Sequence, residues 1–171
     1  MEKQIIDIIS KIKNGQVATV PTETVFGYAV SLDSDSGIKE LMKIKDRDFN
    51  SGKVFTLVPK NKSDISKYVV IPDTAKELIK KHMPGEITLI LPKNPQFKHF
   101  YYDNFDSIGI RIPNHPFFRQ YLDLLGPLLL TSANPRGGTP KSETGHKPST
   151  IVDFTSESPR IVRQGDLVVE I

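Results

Sequence analysis

The residues of this sequence able to do chemistry are cations and small hydroxyl or amide side chains, gathered where apolar runs end. Lys45-Asp46-Arg47 follows a run with helical spacing. Arg111 interrupts the apolar stretch IGIRIP, where a charge is costly unless it is paired or reaches a ligand. Thr131-Ser132-Ala133-Asn134 follows PLLL directly, and Arg163 precedes Gly165 near the end of the sequence. Thr22, Glu23 and Thr24 crowd the turn VPTETVFG. Polar residues at strand ends and in turns stand where sites on rigid scaffolds usually lie, so these could face a ligand. Each also has a plain structural reading. Lys45 and Arg47 would serve as a solvated helix end, Arg111 as an outward strand residue, TSAN as a turn, and the threonines as caps.

Other chemistries lack their residues. There are no cysteines, which removes disulfides and thiolate catalysis. The sequence contains no GxxxxGK[ST], GxGxxG or GxSxG motif. His82, His99, His115 and His146 are too scattered for the close pairs that zinc sites favour, so no resident metal site is expected. The net charge of +3 favours anionic partners, with phosphate ligands and RNA both admissible.

The elements that must position these residues alternate loosely. Ile5, Ile6, Ile8, Ile9 and Ile12 form a helical stripe ended by Asn14-Gly15. Residues 35–45 repeat the pattern with Ser36 as N-cap. Further helices are expected from Pro72 to Met83 and from Pro116 to Leu125, with Phe117, Tyr121, Leu122 and Leu125 inward. Gln16–Val20, Val54–Val58, Ile87–Leu91, Ile108–Ile112 and Leu128–Leu130 read as strands. A final strand pair is expected at Arg160–Arg163 and Leu167–Ile171. The polar stretch Asn134–Pro148 reads as a loop or lid. With 171 residues, 37% hydrophobic and 25% charged, the chain is expected to be one globular α/β domain over 1–171. The N-terminus lacks a signal-peptide pattern and no run reaches the roughly 20 apolar residues of a membrane span. A cytoplasmic location without membrane partners is the expectation.

Taken in order, PTETVFG, KDR, MPGEITLIL, IGIRIPNHP, TSAN, PSTIVDF and IVRQG resemble the successive motifs of the threonylcarbamoyl-AMP synthase family, the YrdC-type domain. The resemblance implies a twisted open mixed sheet flanked by helices around a deep, positively charged cavity. It implies synthesis of L-threonylcarbamoyl-adenylate from L-threonine, bicarbonate or CO2, and ATP, for N6-threonylcarbamoyladenosine at position 37 of tRNAs reading ANN codons. A threonylcarbamoyl transferase machinery would be the downstream partner. By the same resemblance Lys45, Arg47, Ser132 and Asn134 form the catalytic, ATP-binding core, joined by Ser107 and Arg163. Thr24, Thr56, Arg111, Thr131 and Ser149 fall where the family binds threonine. Mg2+ would accompany ATP through its phosphates. Some residues depart from the family pattern: Phe26 replaces a usual tyrosine and Tyr28 a usual leucine. Asp46 and Asp48 flank Arg47, Thr56 stands where some members have histidine, and Arg136 adds a cation beside the nucleotide site. The sequence looks like the short, single-domain form. Two further readings remain. One is an RNA-binding module using the basic concave surface, with Phe100-Tyr101-Tyr102 beside Lys98 and His99 as its aromatic signal. The other is a carbamoyl-transfer domain like those within larger hydrogenase maturation proteins.

Overall fold

The computed structural model describes residues 2–135, 137–142 and 145–171. Arg136, expected beside the nucleotide site, lies outside the described residues.

Among the described residues, five α-helices and eight strands are arranged as α1 (Glu2–Lys13), β1 (Ala18–Val20), β2 (Gly27–Ser31), α2 (Asp35–Ile44), β3 (Thr56–Val58), α3 (Ile65–Tyr68), α4 (Asp73–His82), β4 (Ile87–Pro92), β5 (Ser107–Ile110), α5 (Pro116–Leu125), β6 (Leu128–Ser132), β7 (Thr150–Asp153) and β8 (Arg160–Arg163). The strands form one sheet in the order β1-β2-β6-β3-β5-β4-β7-β8. Pairing is antiparallel except at β3/β5 and β4/β7, so the sheet is mixed and open, as expected. Among the described residues no helix is long and apolar enough to cross a membrane.

Local chemistry explains the helix ends. Gly15, at φ +73°, closes α1, with the Gln16 N–H bonded to the Lys11 carbonyl. The N-cap of α2 is Ser34 rather than Ser36: its hydroxyl oxygen accepts from the Gly37 N–H, while its proton goes to the Gly15 carbonyl. One serine therefore caps α2 and ties it to the end of α1. Pro116 opens α5 in the first turn, where its missing N–H costs nothing.

Two strands extend beyond the expected list, and one is lost from it. β2 follows the PTETVF turn, and β7 takes up the TIVD of PSTIVDF. Leu167–Ile171 forms no strand. β8 pairs instead with β7, placing Asp153 opposite Arg160, and the Arg160 guanidinium donates to Asp153 Oδ2 at 3.0 Å.

The centre of the sheet has two distinct faces. In β5 and its extension, Ile108, Ile110 and Ile112 are buried in the core with Leu57, Leu89 and Leu91. Ser107, Gly109 and Arg111 alternate onto the opposite face, as the two-residue strand period requires. Arg111 is thus no intrusion into an apolar strand; it follows β5 on the polar face. α1 packs on β1, β2 and α5, and α2 packs on β2.

Candidate active site

The polar face of the sheet floors a cavity of about 460 Å³. Its floor is set by strand register. Ile90 lies opposite Gly109, Thr88 opposite Ile151, and Thr56 beside Gly109, whose missing side chain leaves the space open. A Cβ there would sit 3.4 Å from Thr88 Cγ2 and 3.6 Å from Thr56 Oγ1, in ordinary contact. The walls come from the Thr22–Gly27 turn, the segment after α2, the end of β6, and Pro148 to Ser149. Arg47, Lys53, Arg111 and Arg163 line the cavity, and no carboxylate is among its described lining residues.

Arg111 and Arg163 are each held by local acceptors. Arg111, at 6% exposure, donates from Nη2 to Thr24 Oγ1 at 2.9 Å and to Glu23 Oε1 at 3.0 Å, and from Nε to the Gly85 carbonyl at 3.3 Å. Gly85 can offer that carbonyl because the Met83-Pro84-Gly85 turn closes against β5: the Gly85 N–H bonds to the Ile112 carbonyl at 2.8 Å. Arg163 grips Ser149 twice, Nε to its carbonyl at 2.9 Å and Nη2 to its hydroxyl at 3.2 Å. The Ser149 hydroxyl also meets Thr88 Oγ1 at 2.9 Å. Partial burial first, and the positive charge of Arg111 second, hold the Arg163 pKa below its usual value. Two cations that feel each other in a cavity are relieved by an anion between them. Arg47 lies over the Phe55 ring, 5.3 Å from its centroid, and Phe55 stacks on Tyr101 with centroids 5.2 Å apart.

The hydroxyls of the TET turn run in one direction. The Thr22 hydroxyl gives its single proton to the Val25 carbonyl at 2.6 Å. The 3.0 Å contact between Thr22 Oγ1 and Thr24 Oγ1 therefore has Thr24 as donor. Thr24 in turn accepts from Arg111. Its hydroxyl, on a residue 1% exposed, is committed at both ends, and Thr22 is the threonine of the turn that lines the cavity.

Of the residues expected at the site, Arg47, Ser107, Thr56, Arg111, Thr131, Ser132, Ser149 and Arg163 all line the cavity. Thr24, Lys45 and Asn134 stand outside its described lining. The Lys45 ammonium donates to the Ser132 carbonyl at 2.8 Å, to the Asn134 carbonyl at 2.6 Å and to Asn134 Oδ1 at 3.4 Å. The Asn134 amide reaches the carbonyls of Pro135 and Gly138. Burial, then the charges of Arg47 and Lys53, bring the Lys45 pKa down to about 8. Asp46 has a backbone role: at φ +46° it ends α2 in the left-handed region. The Asp46 N–H bonds to the Lys43 carbonyl and the Arg47 N–H to the Met42 carbonyl, a Schellman closure. Sequence reasoning passed over Lys53 and Thr88, and of the two threonines in the turn it favoured Thr24 where Thr22 lines the cavity. Thr88 had a signal, a polar residue alternating with apolar ones in ITLIL. The aromatic trio proposed for RNA belongs largely to the core: Tyr101 and Tyr102 are buried, and their hydroxyls bracket the backbone of Phe55.

The family model Sua5/YciO/YrdC, described as telomere recombination, matches residues 10–146. The chain belongs to this family. A Methanocaldococcus jannaschii relative with a provisional threonylcarbamoyl-AMP synthase name is 31% identical over 170 residues, covering 99% of this chain and 74% of its own. The threonylcarbamoyl-AMP synthase of Yersinia enterocolitica is 30% identical over 138 residues, 78% of this chain and 72% of its own. In fold, the Sua5/YciO/YrdC chain matches the crystal structure of P. abyssi Sua5 complexed with L-threonine, with a TM-score of 0.78 and 24% identity. That match covers 96% of this chain and 54% of the Sua5 chain, so the family member spans about half of that protein's length.

Proposed function

We propose that the cavity is the active site of an L-threonylcarbamoyladenylate synthase, a nucleotidyltransferase that makes the adenylate and pyrophosphate from L-threonine, bicarbonate or CO2, and ATP. The observation that carries this reading is the lining itself. Four cations and a series of hydroxyls face a space with no described carboxylate, the environment that a triphosphate and an amino-acid carboxylate both require. The P. abyssi protein of the same fold holds L-threonine, and relatives across most of this chain bear the synthase name.

Bicarbonate first takes up a proton and loses water to give CO2. The threonine amine, as its free base, captures CO2 to form a carbamate and releases one proton. A carbamate oxygen then attacks the α-phosphorus of ATP; the new O–P bond forms as the bond to the β-phosphate oxygen breaks, and pyrophosphate leaves. The carbamate is already an anionic nucleophile, so the second step needs no side-chain base. Positioning and charge stabilisation supply the catalysis. Arg111 receives the threonine carboxylate. Arg47, Arg163 and Lys53 face the phosphates, and Ser107, Thr131 and Ser132 offer neutral hydrogen bonds. Thr56, Thr88 and Ser149 flank the amino acid. Lys45 and Asn134 act from behind the wall, shaping the turn that carries Ser132. ATP enters as its magnesium complex, with the ion held by phosphates and water. The product is a mixed anhydride, and a threonylcarbamoyl transferase acting on adenosine 37 of tRNA is its proposed consumer.

The deciding experiment incubates the protein with ATP, bicarbonate and L-threonine and measures pyrophosphate. Threonine-dependent release is expected. Its absence, together with tight binding of a tRNA, would replace the reading with that of an RNA-binding module.

A further inference from the structure

We propose that Glu23 is a positioning residue: its carboxylate oxygen fixes the Arg111 guanidinium so that Nη1 is presented to the substrate carboxylate. The inference rests on the threonine reading given above.

A guanidinium has five N–H donors. In Arg111 the Nε donor goes to the Gly85 carbonyl, and the two Nη2 donors divide between Thr24 Oγ1 and Glu23 Oε1. Among the described residues none of these bonds uses Nη1. Three acceptors from two separate segments thus define the plane of the fork, and Arg111 reaches the cavity wall. Both members of the ion pair are enclosed, with side-chain exposures of 7% for Arg111 and 16% for Glu23. A long side chain released from one of its anchors regains rotamer freedom, which a ligand must then remove.

Stability is a poor account of this carboxylate. Its second oxygen, Oε2, is buried with no hydrogen-bond partner among the described residues, and a buried ion pair with an unsatisfied oxygen contributes little to folding. The other oxygen is spent on the one cation that has a turn of hydroxyls built around it. Acceptor position, rather than negative charge, is what Glu23 supplies. Glutamine retains that position without the charge, and aspartate retains the charge but withdraws the oxygen by one methylene.

The test measures pyrophosphate release by the wild type and by Glu23→Gln and Glu23→Asp, with L-threonine and with L-threonine methyl ester, which lacks the carboxylate. Glu23→Asp is expected to raise the KM for threonine about tenfold while the KM for ATP stays within about twofold. Glu23→Gln is expected to remain within about threefold of wild type for both. The ester should be used with equal kcat/KM by all three proteins. Rescue by aspartate instead of glutamine, or an equal loss on threonine and its ester, would overturn the inference. A wild type that releases no pyrophosphate on threonine addition would remove the underlying reading itself, and is recognised without the variants.

Discussion

The Lys45 ammonium lies 2.6 Å from the backbone carbonyl of Asn134, across 89 residues of sequence. The residue that caps α2 at its C-terminus thereby also fixes the turn where β6 leaves the sheet, together with the Ser132 carbonyl. In the proposed nucleotide site its role would then be to shape the turn that carries Ser132. Arg47, two residues on, reaches the cavity because the Schellman closure through Asp46 reverses the chain at that point. A helix end, a strand end and a stacked aromatic together aim one cation and bury another.

The pH dependence follows from Lys45. Its folded pKa of about 8 lies below its ordinary value of 10.5. Between those values the unfolded chain holds a proton that the folded chain has released, so stability from this group increases as pH rises from about 8 to 10.5. Activity should move in the other direction, since the neutral amine gives up one of its donors to the turn. Thermal melts from pH 7 to 10.5 should show a rise in wild type that is absent in Lys45→Met. Threonine-dependent pyrophosphate release should decline as pH passes 8, and Lys45→Met should lack that inflection.

Arg47→Ala should abolish adenylate formation, with at least a hundredfold loss of pyrophosphate release. The fold should survive, because Arg47 follows the end of α2 and is not part of the hydrophobic core, and a cation–π stack such as that on Phe55 is worth only about 1–2 kcal/mol. A circular dichroism melt within a few degrees of wild type would check the second half. Full product formation would remove Arg47 from the assigned role.

Much of this arrangement was legible in sequence, and the exceptions have physical causes. Helices α1, α4 and α5 announced themselves through apolar spacing and breakers such as Gly15 and Pro84. β2 and β7 did not, because each begins directly at a turn. Ser34 was missed as the α2 cap because Ser36 lies closer to the first apolar residue of the helix, while Ser34 both caps Gly37 and bonds distant Gly15. Arg111 was legible as an anomaly in IGIRIP, and the alternation of Ser107, Gly109 and Arg111 resolves it. Its partner was not legible. Glu23 and Arg111 are 88 residues apart, and no local period encodes an ion pair made by the closing of a sheet. Asp46 reads as an added charge in sequence and proves to be a backbone cap.

Thr24 tests the hydroxyl chain. Thr24→Ser keeps the acceptor for Arg111 and the donor to Thr22, and should retain KM for threonine within about threefold. Thr24→Val removes both while keeping the shape. It leaves a donor of a buried cation unpaired, a cost of about 1–3 kcal/mol. That cost should appear as a KM for threonine raised about tenfold or as a melting temperature lowered by several degrees. Equal behaviour of the two variants would contradict the directional chain.

Gly109 separates folding from function most cleanly. The atoms nearest its Cβ position, on Thr88 and Thr56, lie at ordinary contact distances, and valine suits a strand better than glycine does. Gly109→Val should therefore fold with stability within about 1 kcal/mol of wild type or above it. The isopropyl group would stand on the cavity floor between Thr56 and Thr88, in the space assigned to substrate. Pyrophosphate release should fall at least a hundredfold, and Gly109→Ala should show an intermediate loss. Wild-type turnover by the valine variant would mean that the reaction takes place elsewhere, since no rearrangement of an eight-stranded sheet could clear that side chain from its floor at small cost.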